Sequence, residues 1–365
     1  MKTREQICGD LTMHTAETPS VQDSLLALKE IRGRYDLPAL AVVVVKDGKI
    51  CERAVVGFRK TGNATPVTTN DRFHIGSCTK SMTATIIAMF IEEGRLRWDT
   101  TIAEVFPKWQ GKIDKRCEAV TVEQLLTHRA GVANNPSASA WSRAWEENGT
   151  PMQQRQEFAQ AVLACPPAAT PGTKMIYSNS GYAIVSAMIE QIVGQPWERL
   201  ATEKLFKPLH MDSAGFGPPG TKDQVDQPWG HTNTGSSNEP SQKDNPPVIS
   251  AAGRVHCSLD DLGLYAVFHI EGERKDGLLK AETMRKLHTP PDGGDYACGW
   301  LCVKSDWADG KALWHNGSNT FWYTSIWVVP EKAFALAIAT NTAGPDAEKA
   351  FGEVTEKMVT KWLPL

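Results

Sequence analysis

The chain reads as strand at both ends and helix in the middle. Near the N-terminus, ALAVVVVKDGKICERAVVGF sets two β-branched runs either side of Asp47-Gly48, the signature of a tight hairpin. Near the C-terminus, residues 311–315, 321–329 and 333–340 read as three more strands, the last two joined at Pro330-Glu331-Lys332. Helical spacing brackets them. Val21, Leu25, Leu28 and Ile31 recur within 21–36, and Ala350, Phe351, Val354, Met358 and Trp362 within 346–362. Such an order predicts an α+β fold: one antiparallel sheet built from both termini, flanked by terminal helices, with an all-helical lobe inserted. The boundaries fall at about 1–72 and 255–365 for the sheet lobe and 73–254 for the helical lobe, in one catalytic unit spanning 1–365.

The inserted part carries its own signals. From 77 to 93 (SCTKSMTATIIAMFIEE) apolar residues lie on every side, which marks a buried helix. Thr121 and Gln124 make a capping box opening TVEQLLTH, with Gly131 as a stop. A further helix runs from about 178 to 193 and ends at Gly194-Gln195-Pro196. Residues 214–247 are rich in Gly, Pro, Ser and Asn without period, and read as a long loop that is either disordered or functional, as the wall of a site.

Bulk properties narrow the function. The 365 residues hold 39 Lys plus Arg against 42 Asp plus Glu, a net charge of -3, so no electrostatic footprint for nucleic acid is present. No apolar run approaches the length of a membrane span. The N-terminus MKTREQICGDLTMHTAETPS has no apolar signal region, which favours a cytoplasmic protein, or an exported one whose signal has been removed. Eight cysteines (Cys8, Cys51, Cys78, Cys117, Cys165, Cys257, Cys298, Cys302) are scattered, and read as free thiols. Cys298-x-x-x-Cys302 has no partner pair for a metal. A small-molecule substrate is expected, with no metal or cofactor; oligomeric state is open.

The chemistry concentrates at Phe73-His74-Ile75-Gly76-Ser77-Cys78-Thr79-Lys80. Gly76 breaks the chain and a helix starts at Ser77, so Ser77 and Lys80 share a face. A serine hydroxyl is a weak nucleophile until a base takes its proton. A lysine one turn into a buried helix demands a partner or a function, and burial lowers its pKa toward that of a base. The Ser77 N–H, free in a first turn, suits an oxyanion. Ser-x-x-Lys alone is short. A capping serine with an unrelated lysine is the alternative, and only the apolar run after Lys80 disfavours it.

These segments also resemble a known family. FHIGSCTK with its buried helix and GRLRWDTTIAEVFP, then TVEQLLTHRAG, PGTKMIYSNSGYAIVSAMIEQIVG and AAGRVHCSLDDLGLY, are similar in order and spacing to the serine β-lactamase and penicillin-binding-protein superfamily, class C branch. The resemblance spans roughly residues 21–342. It implies that Tyr177-Ser178-Asn179 is the second motif, with Tyr177 as general acid and base, its pKa lowered by a lysine, and Asn179 binding substrate and orienting that lysine. It implies that His315-Asn316-Gly317 stands where many relatives have Lys-Thr-Gly, with Ser318 supplying the second oxyanion N–H. A histidine titrating near neutrality there, in place of a fixed cation, puts β-lactam turnover in doubt and favours a carboxylic ester or simple amide. The alternatives are a β-lactamase, a peptidase of D-amino-acid peptides, or a non-catalytic scaffold of the same fold. Asn341 resembles a family asparagine. Trp229-Gly230-His231 either lines the pocket or packs on the core, Trp314, Trp322 and Trp327 read as sheet packing, and His128 as the end of its helix.

Overall fold

The computed structural model describes residues 21–132, 137–146, 149–233 and 237–363; the N-terminal segment, with Cys8, lies outside the described residues. Strands β1 (Ala39–Lys46) and β2 (Lys49–Gly57) form the expected hairpin. Asp47 and Gly48 both take positive φ (52° and 72°), the backbone a two-residue turn of this twist requires. β1 is buried along seven consecutive residues, so its apolar run is continuous; β2, at the sheet edge, alternates. The other strands come from the far end of the chain: β8 (Leu301–Ser305), β9 (Gly310–Ser318), β10 (Tyr323–Val329) and β11 (Phe334–Thr340). The order is β2-β1-β11-β10-β9-β8, antiparallel throughout, with Val43 opposite Ala337 where the two ends of the chain meet.

Both faces of this sheet are covered. Helix α1 (Val21–Arg34) and helix α7 (Pro345–Trp362) pack on one face, burying Leu28, Ile31, Phe351 and Val354 with Val42 and Val44. Glu52 on β2 is buried and takes hydrogen bonds from Lys361 (2.9 Å) and the Trp362 indole (2.6 Å), which fixes the end of α7. The other face carries Ala41, Val43 and Val45 into a larger core shared with helix α6 (Leu259–Gly272) and the helical segment.

The helical segment is organised by α2 (Thr79–Glu92), α3 (Val122–Leu126), α4 (Pro151–Leu163) and α5 (Asn179–Val193). α2 starts two residues later than its sequence suggests, because Gly76–Cys78 forms a separate 3-10 turn. Every residue from Thr79 to Phe90 is buried. Thr121 and Gln124 close the capping box of α3, Ser178 caps α5 through Gly181 N–H, and Gly194 ends α5 with φ 73°.

Residues 214–247 correct the expectation of an irregular loop. They contain β4 (Gly215–Phe216) and the hairpin β5 (Gly230–Asn233) with β6 (Asn238–Ser241). β4 joins β7 (Val255–Ser258) and β3 (Arg72–His74) in a small three-stranded sheet. Its strands are two to four residues long, too short for a periodic pattern to register in sequence. This sheet matters for the site. β3 runs straight into Gly76 and Ser77, and Ile75 N–H bonds Val255 O (2.9 Å), so the serine leaves the end of an anchored strand.

Candidate active site

Ser77 is half-buried while its neighbours Gly76 and Cys78 are buried. Two glycines explain how the strand β9 reaches it. A Cβ on Gly76 would lie 2.3 Å from Ser318 N, and one on Gly317 would lie 2.5 Å from Ser77 N and 2.0 Å from Ile75 O. Gly76 also has φ +49°. Only residues without a Cβ allow this contact, and it brings the backbone amides of Ser77 and Ser318 together. Two backbone amides brought this close beside a serine hydroxyl are the elements from which an oxyanion site is built.

Lys80 is fully buried. Its Nζ lies 3.0 Å from Ser77 Oγ, 2.7 Å from Asn179 Oδ1 and 2.7 Å from the carbonyl of Ala252. None of these partners is a carboxylate, and desolvation pushes the amine well below its ordinary pKa. A neutral amine has two N–H donors and one lone pair. Asn179 Oδ1 and Ala252 O can only accept, so they take the two protons, and the lone pair is left facing Ser77.

Tyr177 donates its O–H to Ser77 Oγ at 2.8 Å. Here the structure corrects the sequence reading. The phenol bonds the serine instead of the lysine, which sits over its ring 4.8 Å from the centroid. Burial then pushes the Tyr177 pKa up, and the bond to Ser77 only partly offsets this. The resting group is a protonated acid. Its backbone is held by His128, which sequence assigned to the end of a helix. His128 has left-handed φ (57°), accepts Ser178 N–H on Nδ1 (3.1 Å) and Ile176 N–H on its carbonyl (2.7 Å). Its ring packs against Tyr177, Tyr182 and Tyr296.

The third motif divides by strand alternation. His315 and Gly317 face Ser77; Asn316 turns to the opposite face and donates to the Tyr323 hydroxyl at 2.9 Å, among residues packed under α7. The Asn316 side chain is therefore not part of the cleft, contrary to the expectation. His315 is buried, with Nδ1 on its neighbour's carbonyl and Nε2 taking the Tyr296 hydroxyl (3.0 Å). Desolvation lowers its pKa to about 3. It is a neutral ring, not the near-neutral titrating group expected from sequence.

Other sequence candidates lie elsewhere. His231 is buried and ties Thr61 N–H (3.0 Å) to the carbonyl of Asn341 (2.7 Å). Asn341 donates to the carbonyls of Phe58 and Arg59, away from the serine. Trp229 bonds Gln224 O (2.7 Å) and stacks under Lys60. Trp314 and Trp327 stack on the sheet face, and Trp322 is buried against His74. The seven cysteines among the described residues are free, and Cys302 donates to the carbonyl of His288 (3.3 Å). No grouping of three His, Cys, Asp or Glu among the described residues could hold a metal ion, and no described helix is long and apolar enough to cross a membrane. Sequence reasoning placed His128 at a helix end without its contact to the Tyr177 segment, 50 residues away, and missed Tyr296, whose partner His315 is 19 residues away.

Comparison with known proteins places this geometry in a family context. The beta-lactamase family model matches residues 26–356. Penicillin-binding protein 4 of Amycolatopsis lactamdurans is 26% identical over 85% of this chain and 82% of its own length. The unguisins hydrolase of Aspergillus campestris is 24% identical over 89% of this chain, which spans only 62% of that protein. The octameric penicillin-binding protein homologue from Pyrococcus abyssi superposes with a TM-score of 0.76 at 24% identity, covering 96% of this chain and 80% of its own, and shares the fold.

Proposed function

The chain belongs to the beta-lactamase family of serine hydrolases, and on that premise we propose that it cleaves carboxylic esters or simple amides through an acyl-Ser77 intermediate. The observation that carries this reading is the buried Lys80, whose Nζ lies 3.0 Å from Ser77 Oγ with its other two contacts on acceptor oxygens, in a setting where desolvation lowers its pKa well below the ordinary value. During attack the serine proton passes to Lys80 as the Oγ–carbon bond forms. The carbonyl electrons move onto oxygen, which the N–H groups of Ser77 and Ser318 stabilise. Collapse breaks the bond to the leaving group, which takes its proton from Tyr177; Lys80 returns a proton to the phenol by way of the serine site. Water then attacks the acyl group by the reverse path, and the acid leaves with Ser77 restored.

The choice of donor rests on His315. A neutral ring hydrogen-bonded to Tyr296 offers no fixed charge for the carboxylate that β-lactams and D-peptides carry, so a neutral acyl donor fits better. One relative's name, penicillin-binding protein 4, favours the β-lactam alternative. A fluorophosphonate probe followed by peptide mapping tests the nucleophile; labelling at Ser77 also excludes the non-catalytic scaffold. On the same preparation, kcat/KM is measured for a short-chain aryl ester, nitrocefin and a D-alanyl peptide. The ester should give the highest value. A higher value for nitrocefin or the peptide overturns the donor and leaves the nucleophile standing.

A further inference from the structure

A buried polar cluster lies directly behind the contact between Gly76 and Ser318. Asp244, in the segment between β6 and β7, has a side chain only 4% exposed. Its Oδ1 accepts from Asn319 Nδ2 at 2.8 Å, and the same oxygen lies 2.9 Å from His74 Nε2, at an angle bent away from an ideal hydrogen bond. Its Oδ2 accepts from Arg254 Nε at 3.1 Å. Two of these arms, His74 and Asn319, continue to the chain beside the serine. His74 Nδ1 accepts Gly76 N–H at 3.1 Å, so that nitrogen carries no proton and Nε2 is the protonated one facing Asp244. Gly76 immediately precedes Ser77. Asn319 immediately follows Ser318, and its Oδ1 accepts the N–H groups of Phe321 and Trp322 (3.2 Å each), fixing the turn out of β9.

One carboxylate therefore touches both segments whose amides meet at the serine. We propose that Asp244 is a positioning residue that sets the separation and direction of the Ser77 and Ser318 N–H groups, through His74 on one side and Asn319 on the other. It touches no substrate and takes no proton. It acts because a buried carboxylate held by Asn319, Arg254, the Asn245 N–H (2.7 Å) and the facing His74 has one low-energy arrangement, and two of these groups, His74 and Asn319, are bonded on to a backbone that must not move. The proposal rests on the reading that these two amides hold the oxyanion. Catalysis by preorganised donors is sensitive to displacement, since they stabilise charge only where it develops. No member of the cluster bonds Lys80 itself, which is held by Asn179 and Ala252.

The test uses Asp244→Asn and, as a milder lesion that leaves the Arg254 pair intact, Asn319→Ala. Active sites are first counted with a fluorophosphonate, so that kcat is expressed per competent serine. Asp244→Asn should lower kcat for an aryl ester by about 10- to 100-fold with KM within about twofold, Asn319→Ala less in the same direction. Affinity for an alkyl boronic acid, whose tetrahedral adduct places an oxygen at the oxyanion position, should fall in parallel with kcat/KM. The pH of the Lys80-dependent limb should stay where it is in the wild type. A loss confined to the active fraction overturns the clamp, as does a rise in KM alone, an unchanged boronate affinity or a displaced pH limb. Failure of the probe to label Ser77 in the wild type overturns the reading beneath it instead.

Discussion

Lys80 Nζ lies 3.0 Å from Ser77 Oγ and spends its two other contacts on oxygens that can only accept. That arrangement is satisfied by a neutral amine: a protonated lysine would aim a third N–H at the oxygen meant to lose its own proton. Lys80→Arg should therefore fail as completely as Lys80→Ala, because guanidinium keeps its proton and is too large for the enclosed site. Each should lower kcat/KM by about 10⁴ or more, as removing a member of such a unit does. The check is steady-state kinetics on folded variants; retention of a tenth of wild-type activity by Lys80→Arg contradicts the assignment.

Tyr177 donates to the oxygen that attacks, and its phenol is held protonated by burial. Its loss should hurt most where the leaving group most needs a proton. Tyr177→Phe is expected to lower turnover of a simple alkyl ester far more than of a p-nitrophenyl ester. Combined with Lys80→Ala it should be scarcely worse than the poorer single variant. Equal losses on both esters, or additive losses in the double variant, speak against a shared proton path.

Much of this site is legible in sequence, and the reason is distance along the chain. Ser77 and Lys80 are one helical turn apart, and Tyr177 and Asn179 sit at the mouth of a helix whose cap, Ser178, lies between them. Alternation along β9 already separates Asn316 from His315 and Gly317, so its turn to the far face is legible in the strand period. His74, Asp244 and Asn319 were not legible. Their partners are dispersed over nearly 250 residues, and Asp244 lies in a stretch with no period. The charge states of Tyr177 and His315 are not legible in sequence for a related reason: desolvation depends on what encloses a group, and motif spacing carries no information about that.

Six buried histidines set a stability prediction. His128, His231, His256, His269, His288 and His315 all have pKa values below the ordinary 6.5, with burial the first cause in each. A depressed folded pKa means that the unfolded chain takes the proton first. Their contribution is therefore complete above about 6.5 and is lost as pH falls toward the folded values, about 4 for His231 and His256 and about 3 for His315. Each costs up to about 1.4 kcal/mol per pH unit while only the unfolded form titrates. Glu190 opposes them: burial raises its carboxyl from 4.5 to about 7, so its contribution fades as pH rises through that window. One group stands against six, so the urea midpoint should fall between pH 7 and pH 5, with net proton uptake on unfolding. A midpoint that rises toward pH 5 would show these rings to be solvated.

The most direct test of the account is the pH dependence of acylation, because lysine and histidine predict different limbs. Single-turnover kcat/KM for an aryl ester is measured across pH for the wild type, His315→Gln and Lys80→Met. The wild type should rise along one limb whose pKa, belonging to the coupled Ser77–Lys80–Tyr177 unit, lies well below the lysine value of 10.5. The limb should survive in His315→Gln, since that ring is neutral to about pH 3, while acylation collapses in Lys80→Met. A limb that disappears with His315, or persists at full height without Lys80, would contradict the central claim that a buried neutral lysine takes the proton of Ser77.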